Sequence, residues 1–136
     1  MQEFSPRGTR IAHIGIAVRG LNDSISFYRD VLGMPGVPLD DADGAKIAGV
    51  SAGESLIELL EAESAESPIG KFVAKRGPGI HHVCFAVDDL DAALERCRQH
   101  GIRLIDEKPR LGAEGKRIAF LHPSSTSGVL VELSEY

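Results

Sequence analysis

Tryptophan is absent from this sequence of 136 residues, aromatic side chains make up only 5% of it, and cysteine occurs twice. With so few rings, the interior has to be filled by aliphatic side chains, which at 43% hydrophobic content are numerous enough for a globular core. Cys84 and Cys97 lie too far apart for a CxxC redox pair or a thiolate zinc knuckle, and read as reduced thiols of a cytosolic protein. No run approaches the roughly 18 apolar residues of a membrane span, and Met1 to Thr9 lacks a signal-peptide core, so a soluble, cytoplasmic protein with no membrane partner is expected. Positive charge is in deficit, 15 Lys and Arg against 20 Asp and Glu for a net charge of −5, which argues against nucleic acid as a partner.

The deficit is uneven. Residues 1–66 carry five basic and eleven acidic side chains, whereas 67–136 carry ten and nine, with basic residues at Lys71, Lys75, Arg76 and from Arg103 to Arg117. The length suits one domain, or two half-size modules sharing a core.

Ile11 to Val18 alternates as a strand, with Ile14, Ile16 and Val18 on one face and His13, Gly15 and Ala17 on the other. Asn22 and Asp23 suit the cap of a short helix with Ile25, Tyr28, Val31 and Leu32 at helical spacing and Gly33 as its stop. After a Pro-containing acidic loop, Pro35 to Asp43, apolar stretches at Ala45–Val50 and Ser55–Leu60 flank a turn at Gly53. The pattern then recurs. Ile80 to Val87 matches Ile11 to Val18 at an offset of 69, so that His82 falls on His13, and a second helix follows with Leu90, Ala93, Leu94 and Cys97 inward, Asp88 or Asp89 as cap and Gly101 as stop. Ile47–Val50 corresponds to Ile118–Leu121, and Ile57-Glu58-Leu59 to Val131-Glu132-Leu133.

The fold class expected is therefore α+β: two tandem βαβββ modules forming a curved, partly open mixed sheet around a metal site. A single domain over 1–136 would hold a first module at 10–66, a linker helix at 67–79 and a second module at 80–136. Ser67-Pro68 starts the linker helix and Gly77-Pro78-Gly79 breaks it.

A lone histidine or glutamate on a strand is ordinarily a packing or solvent-facing residue. Here His13 and His82 are repeat equivalents, as are Glu58 and Glu132, and the histidines share their faces with small residues while the bulky aliphatics point to the helices. Two imidazoles and two carboxylates converging on a concave sheet face make a ligand set for cobalt, manganese, zinc, nickel or iron(II). Alternation turns His81 to the other face, for a structural or supporting role. His100 reads as a helix cap and His122, before Pro123, as structural ahead of substrate-binding.

This plan resembles the vicinal oxygen chelate superfamily of glyoxalase I, extradiol dioxygenases and fosfomycin-resistance enzymes. Within it, the chain resembles the methylmalonyl-CoA epimerase family, through His13-Ile14-Gly15-Ile16-Ala17-Val18, Ser67-Pro68-Ile69-Gly70-Lys71-Phe72, Gly79-Ile80-His81-His82-Val83 and the run Phe120-Leu121-His122-Pro123. The resemblance implies a divalent metal, cobalt first with manganese, zinc, nickel or magnesium as alternatives, held by His13, His82 and Glu132 with Glu58 in the fourth position. It implies exchange of the C2 proton between (R)- and (S)-methylmalonyl-CoA, in a homodimer. Glu132 is expected as one catalytic base. Some relatives place a second glutamate where Ile47 stands here, so Glu58, Glu54, His122 and metal-bound water are the candidates for the other. Lys71, Lys75, Arg76, Lys116 and Arg117 are candidates to hold the coenzyme A phosphates. The competing readings are ethylmalonyl-CoA as substrate, a glyoxalase I-like lyase, a dioxygenase, and a non-enzymatic binding protein of the same fold.

Overall fold

The computed structural model describes residues 8–136. The βαβββ pattern occurs twice. The first copy comprises β1 (Arg10–Val18), α1 (Leu21–Ser26, continued by a π turn at Phe27–Val31), β2 (Gly36–Val37), β3 (Ala45–Ala52) and β4 (Ser55–Ala62). Helix α2 (Pro68–Arg76) follows. The second copy comprises β5 (Gly79–Val87), α3 (Leu90–Gln99), β6 (Arg110–Leu111), β7 (Arg117–Leu121) and β8 (Val131–Glu135). Strands β2 and β6 have two residues each, too few to show a hydrophobic period. By backbone proximity, residues 13–81 form one compact unit, and residues 8–12 with 82–136 form another.

In the 13–81 unit the strands run β2-β3-β4-β1, with β1 parallel to β4 and the other pairs antiparallel. The parallel register sets Gly15 beside Glu58 and Ala17 beside Leu60, so His13, Gly15, Ala17, Glu58 and Leu60 share a face. Helix α2 packs on that same face: Ile69, Phe72 and Val73 cluster with Ala17, Ala45, Ile47, Leu60 and Ala62. The expectation that the bulky aliphatics of β1 point to the helices does not extend to α2, which meets the small-residue face. The α2 start is as the sequence predicts, with Ser67 Oγ accepting from the Gly70 amide at 3.1 Å and Pro68 in the first turn. Gly70 is required by the close approach of the preceding backbone. A Cβ there would stand 2.2 Å from the Ser64 carbonyl oxygen and 2.8 Å from that of Ala65.

Helix α1 differs from its expected cap. Gly20 occupies the cap position, and the Leu21 amide donates instead to the Glu61 carboxylate of β4 at 2.9 Å. A residue forty positions away thus satisfies an orphan amide at the helix start. The helix ends on a wide turn in which the Leu32 amide donates to the Phe27 carbonyl five residues back, and Gly33 follows at φ +72° as expected.

In the other unit the order is β5-β8-β7-β6, with β5 parallel to β8 and the remaining pairs antiparallel. Here the bulky aliphatics do face the helix. Leu90 and Leu94 of α3 pack with Ala119, Leu121 and Leu133, flanked by Phe85, Val87 and Cys97. Asp89, rather than Asp88, caps α3 by accepting from the Ala92 amide at 2.9 Å, and Gly101 ends it at φ +73°. The His100 backbone amide, not its imidazole, meets the final carbonyls.

Candidate functional site

Each unit carries one buried histidine–glutamate pair, and the two pairs are built alike. In the first, β1 presents His13 and its parallel neighbour β4 presents Glu58 on the same face. The His13 Nε2 lies 3.3 Å from Glu58 Oε1, with both residues 3% exposed. In the second, β5 presents His82 and its parallel neighbour β8 presents Glu132, with Nε2 to Oε1 at 3.1 Å and both residues 5% exposed. The registers match as well. Gly15 pairs with Glu58 and its repeat equivalent Cys84 pairs with Glu132, each two positions beyond the histidine. Duplicated strands therefore rebuild the same donor pair from different sequence.

The donor chemistry fits a divalent metal. Bond lengths of about 2.0–2.2 Å from a metal to imidazole nitrogen and carboxylate oxygen put adjacent donors about 2.8–3.6 Å apart, for angles between octahedral and tetrahedral. The separations of 3.1 and 3.3 Å fall in that interval. Burying a carboxylate is costly without positive charge nearby, and a cation supplies it.

The surroundings of the pairs differ. Opposite Glu58, β3 places Gly49, where a Cβ would stand 2.7 Å from the Leu39 side chain and 2.9 Å from the Val37 carbonyl oxygen. Opposite Glu132, β7 places Phe120, whose ring meets the His82 ring edge-on at 5.5 Å between centroids. The Arg110 guanidinium lies 5.6 Å from the centre of that same Phe120 ring. Asp106 ties both down: one carboxylate oxygen accepts from Arg110 Nε at 3.0 Å, the other from the Phe120 amide at 2.8 Å. The sequence reading missed Phe120, Arg110 and Asp106. Their shared signal is strand register, since Phe120 occupies the repeat position of Gly49.

The other sequence candidates fall into place by contact. The half-buried Ile47, on the Glu58 face, packs against the α2 cluster. Glu54 is exposed in the β3–β4 turn, four residues and about 13 Å along the strand direction from Glu58. His122 Nδ1 accepts from the Ser124 amide at 3.0 Å, a structural role. The His81 ring meets Phe72 of α2 edge-on at 5.0 Å, with Arg76 over the same Phe72 ring at 5.8 Å. Arg117 corrects the phosphate expectation. It shares a face with Ala119 and Leu121, which pack on α3, and its guanidinium is bound by Asp91 at 3.0 and 3.1 Å and by Glu135 at 2.7 Å. Those carboxylates, the Asp91 hydrogen bond first, hold its pKa above the ordinary arginine value.

A family model for the glyoxalase/bleomycin resistance protein/dioxygenase superfamily matches residues 12–120. The chain belongs to that superfamily. Among superfamily members, the mitochondrial methylmalonyl-CoA epimerase of Mus musculus is 40% identical over 140 residues, covering 98% of this chain and 78% of its own length. The ethylmalonyl-CoA/methylmalonyl-CoA epimerase of Cereibacter sphaeroides is 38% identical, covering 93% and 97%. The crystal structure of methylmalonyl-CoA epimerase from Mycobacterium tuberculosis superposes with a TM-score of 0.88 at 40% identity, covering 92% of this chain and 86% of that one. The glyoxalase-type α+β fold that the resemblance implies is therefore the fold of this chain. No helix among the described residues is long and apolar enough to cross a membrane.

Proposed function

We propose that this protein is an isomerase that interconverts (R)- and (S)-methylmalonyl-CoA, using a divalent ion held by His13, Glu58, His82 and Glu132. The repetition of a buried histidine–glutamate pair at the same register in both units supports the ligand set. Relatives named as epimerases, at 38–40% identity over most of the chain, support the reaction. The resemblance favours cobalt, with manganese, zinc, nickel and magnesium as alternatives, and a cytoplasmic homodimer.

A proton α to a thioester is too weakly acidic for an unaided carboxylate. When bound, the ion supplies Lewis-acid stabilisation of the negative charge that develops on the thioester oxygen. The chain's own part is to bind that ion and to exchange the proton on opposite faces of C2. Glu132 serves as one base. For the other, Glu54 sits at an exposed turn and His122 Nδ1 accepts a backbone amide, so Glu58 is the protein group we assign. The apolar Ile47, on the Glu58 face, adds no titratable group there.

The test is solvent exchange. Purified protein with added cobalt should exchange the C2 proton of methylmalonyl-CoA for deuterium, and exchange no faster than in a metal-free control would refute the assignment. Ethylmalonyl-CoA belongs in the same assay, because the Cereibacter sphaeroides relative is named for both substrates.

A further inference from the structure

We infer that the Phe120 ring bounds the space for the alkyl group on C2, and so restricts the enzyme to malonyl thioesters with a short 2-alkyl chain. This rests on the epimerase reading above. The β7–β8 register sets Phe120 directly opposite Glu132, so the two side chains leave the same face with their Cβ atoms about 4.5–5.5 Å apart. The ring meets the His82 imidazole, presented by β5 on that face, edge-on at 5.5 Å between centroids. Register puts Cys84, Ala86, Ile118 and Ser134 on the same face, and Phe120 is bulkier than any of them. Its repeat counterpart is Gly49, opposite Glu58, where even a Cβ would stand 2.9 Å from the Val37 carbonyl oxygen. Bulk at this position therefore belongs to one copy alone.

The ring is held in place. The Phe120 amide donates to one Asp106 carboxylate oxygen at 2.8 Å, and the other oxygen accepts from Arg110 Nε at 3.0 Å, with the guanidinium 5.6 Å from the ring centre. A half-buried ring with its backbone tied and a cation against it resists swinging aside. Four groups surround C2 in the substrate: the exchanging hydrogen, the thioester carbon, the carboxylate and the alkyl group. The first passes to a base, the thioester oxygen and the carboxylate are polar, and only the alkyl group gains by meeting a hydrocarbon surface. For the proton to move, C2 has to come within about 3 Å of the Glu132 carboxylate, and Phe120 stands beside that residue. A short alkyl group is covered by the ring, whereas a longer one has to displace it. One methylene in a closed apolar pocket changes kcat/KM by about 10- to 200-fold.

The test is a chain-length series on the metal-loaded protein. Exchange of the C2 proton with deuterated solvent would be followed for methylmalonyl-, ethylmalonyl- and n-butylmalonyl-CoA. The wild type, Phe120→Leu and Phe120→Ala would be compared, with metal content and thermal unfolding checked for each. In kcat/KM the wild type should favour methylmalonyl-CoA over n-butylmalonyl-CoA by at least about 100-fold. Phe120→Ala should shrink that ratio by at least about 10-fold, and Phe120→Leu by at least about threefold. If the alanine variant does not fold, the leucine variant decides on the same ratio. A wild type indifferent to chain length overturns the inference. So does an unchanged ratio in folded, metal-loaded variants, where all three substrates slow together because the ring only braces His82. If the wild type exchanges the methylmalonyl-CoA proton and the ratio does not move, the Phe120 inference alone fails. Absence of exchange with all three thioesters would remove the epimerase reading and the inference with it.

Discussion

Gly70→Ala should destabilise the protein, although the same exchange in the first turns of an ordinary helix is stabilising. On helix propensity alone, alanine gains about 1 kcal/mol over glycine. At this position the new Cβ would stand 2.2 Å from the Ser64 carbonyl oxygen and 2.8 Å from that of Ala65. Both are backbone atoms, so neither can swing aside as a side-chain tip does. Overpacking of this kind ordinarily costs about 1–3 kcal/mol. The shift that relieves the clash would also move the Gly70 amide away from Ser67 Oγ, weakening a cap whose loss costs about 1 kcal/mol. These penalties outweigh the propensity gain, for a net loss of about 1–3 kcal/mol. Urea unfolding would measure it, with Gly36→Ala as control, since nothing lies within 4 Å of a Cβ built at Gly36. A Gly70→Ala variant as stable as the wild type, or more so, would refute the account of how α2 is seated.

Burial pushes the Cys97 thiol above its ordinary pKa, with Arg98 and then Arg96 opposing. The unfolded thiol therefore ionises first, and whatever this neutral thiol contributes to stability is lost as pH rises from the ordinary thiol range through its raised folded value. Iodoacetamide should label Cys97 more slowly in the native protein than in urea at about pH 8.5, where a free thiol is about half ionised; equal rates by mass spectrometry would contradict this. Lys71 and Lys75 are exposed on α2, so the Lys71→Ala, Lys75→Ala double variant should raise KM for the acyl-CoA while leaving stability nearly unchanged, and an unaltered KM would remove both from phosphate binding.

Much of the fold was legible because duplication writes the same pattern twice. The in-phase alternation of Ile11–Val18 and Ile80–Val87 located two strands, and their histidines, without knowledge of any contact. Local signals were equally readable: Ser67-Pro68, Asp89, Gly33 and Gly101 act within a few residues of where they stand. What escaped was set by long-range partners. The α1 start depends on Glu61, forty residues away, and so offered Asn22 and Asp23 as decoys. The packing of α2 on the Glu58 face depends on how a linker folds back, which hydrophobic spacing does not encode. The side of the sheet taken by Arg117, and the neighbours of His82, follow from the β6–β7–β8 register, and two-residue β6 gives alternation too short to read.

The central claim is that the two histidine–glutamate pairs serve one ion. Metal content per chain after cobalt loading and desalting tests it most directly, in the wild type and in folded His13→Ala and His82→Ala variants. One equivalent in the wild type, lost on removing either histidine, is the predicted result. Two equivalents with each variant losing one, or undiminished metal in either variant, would contradict it.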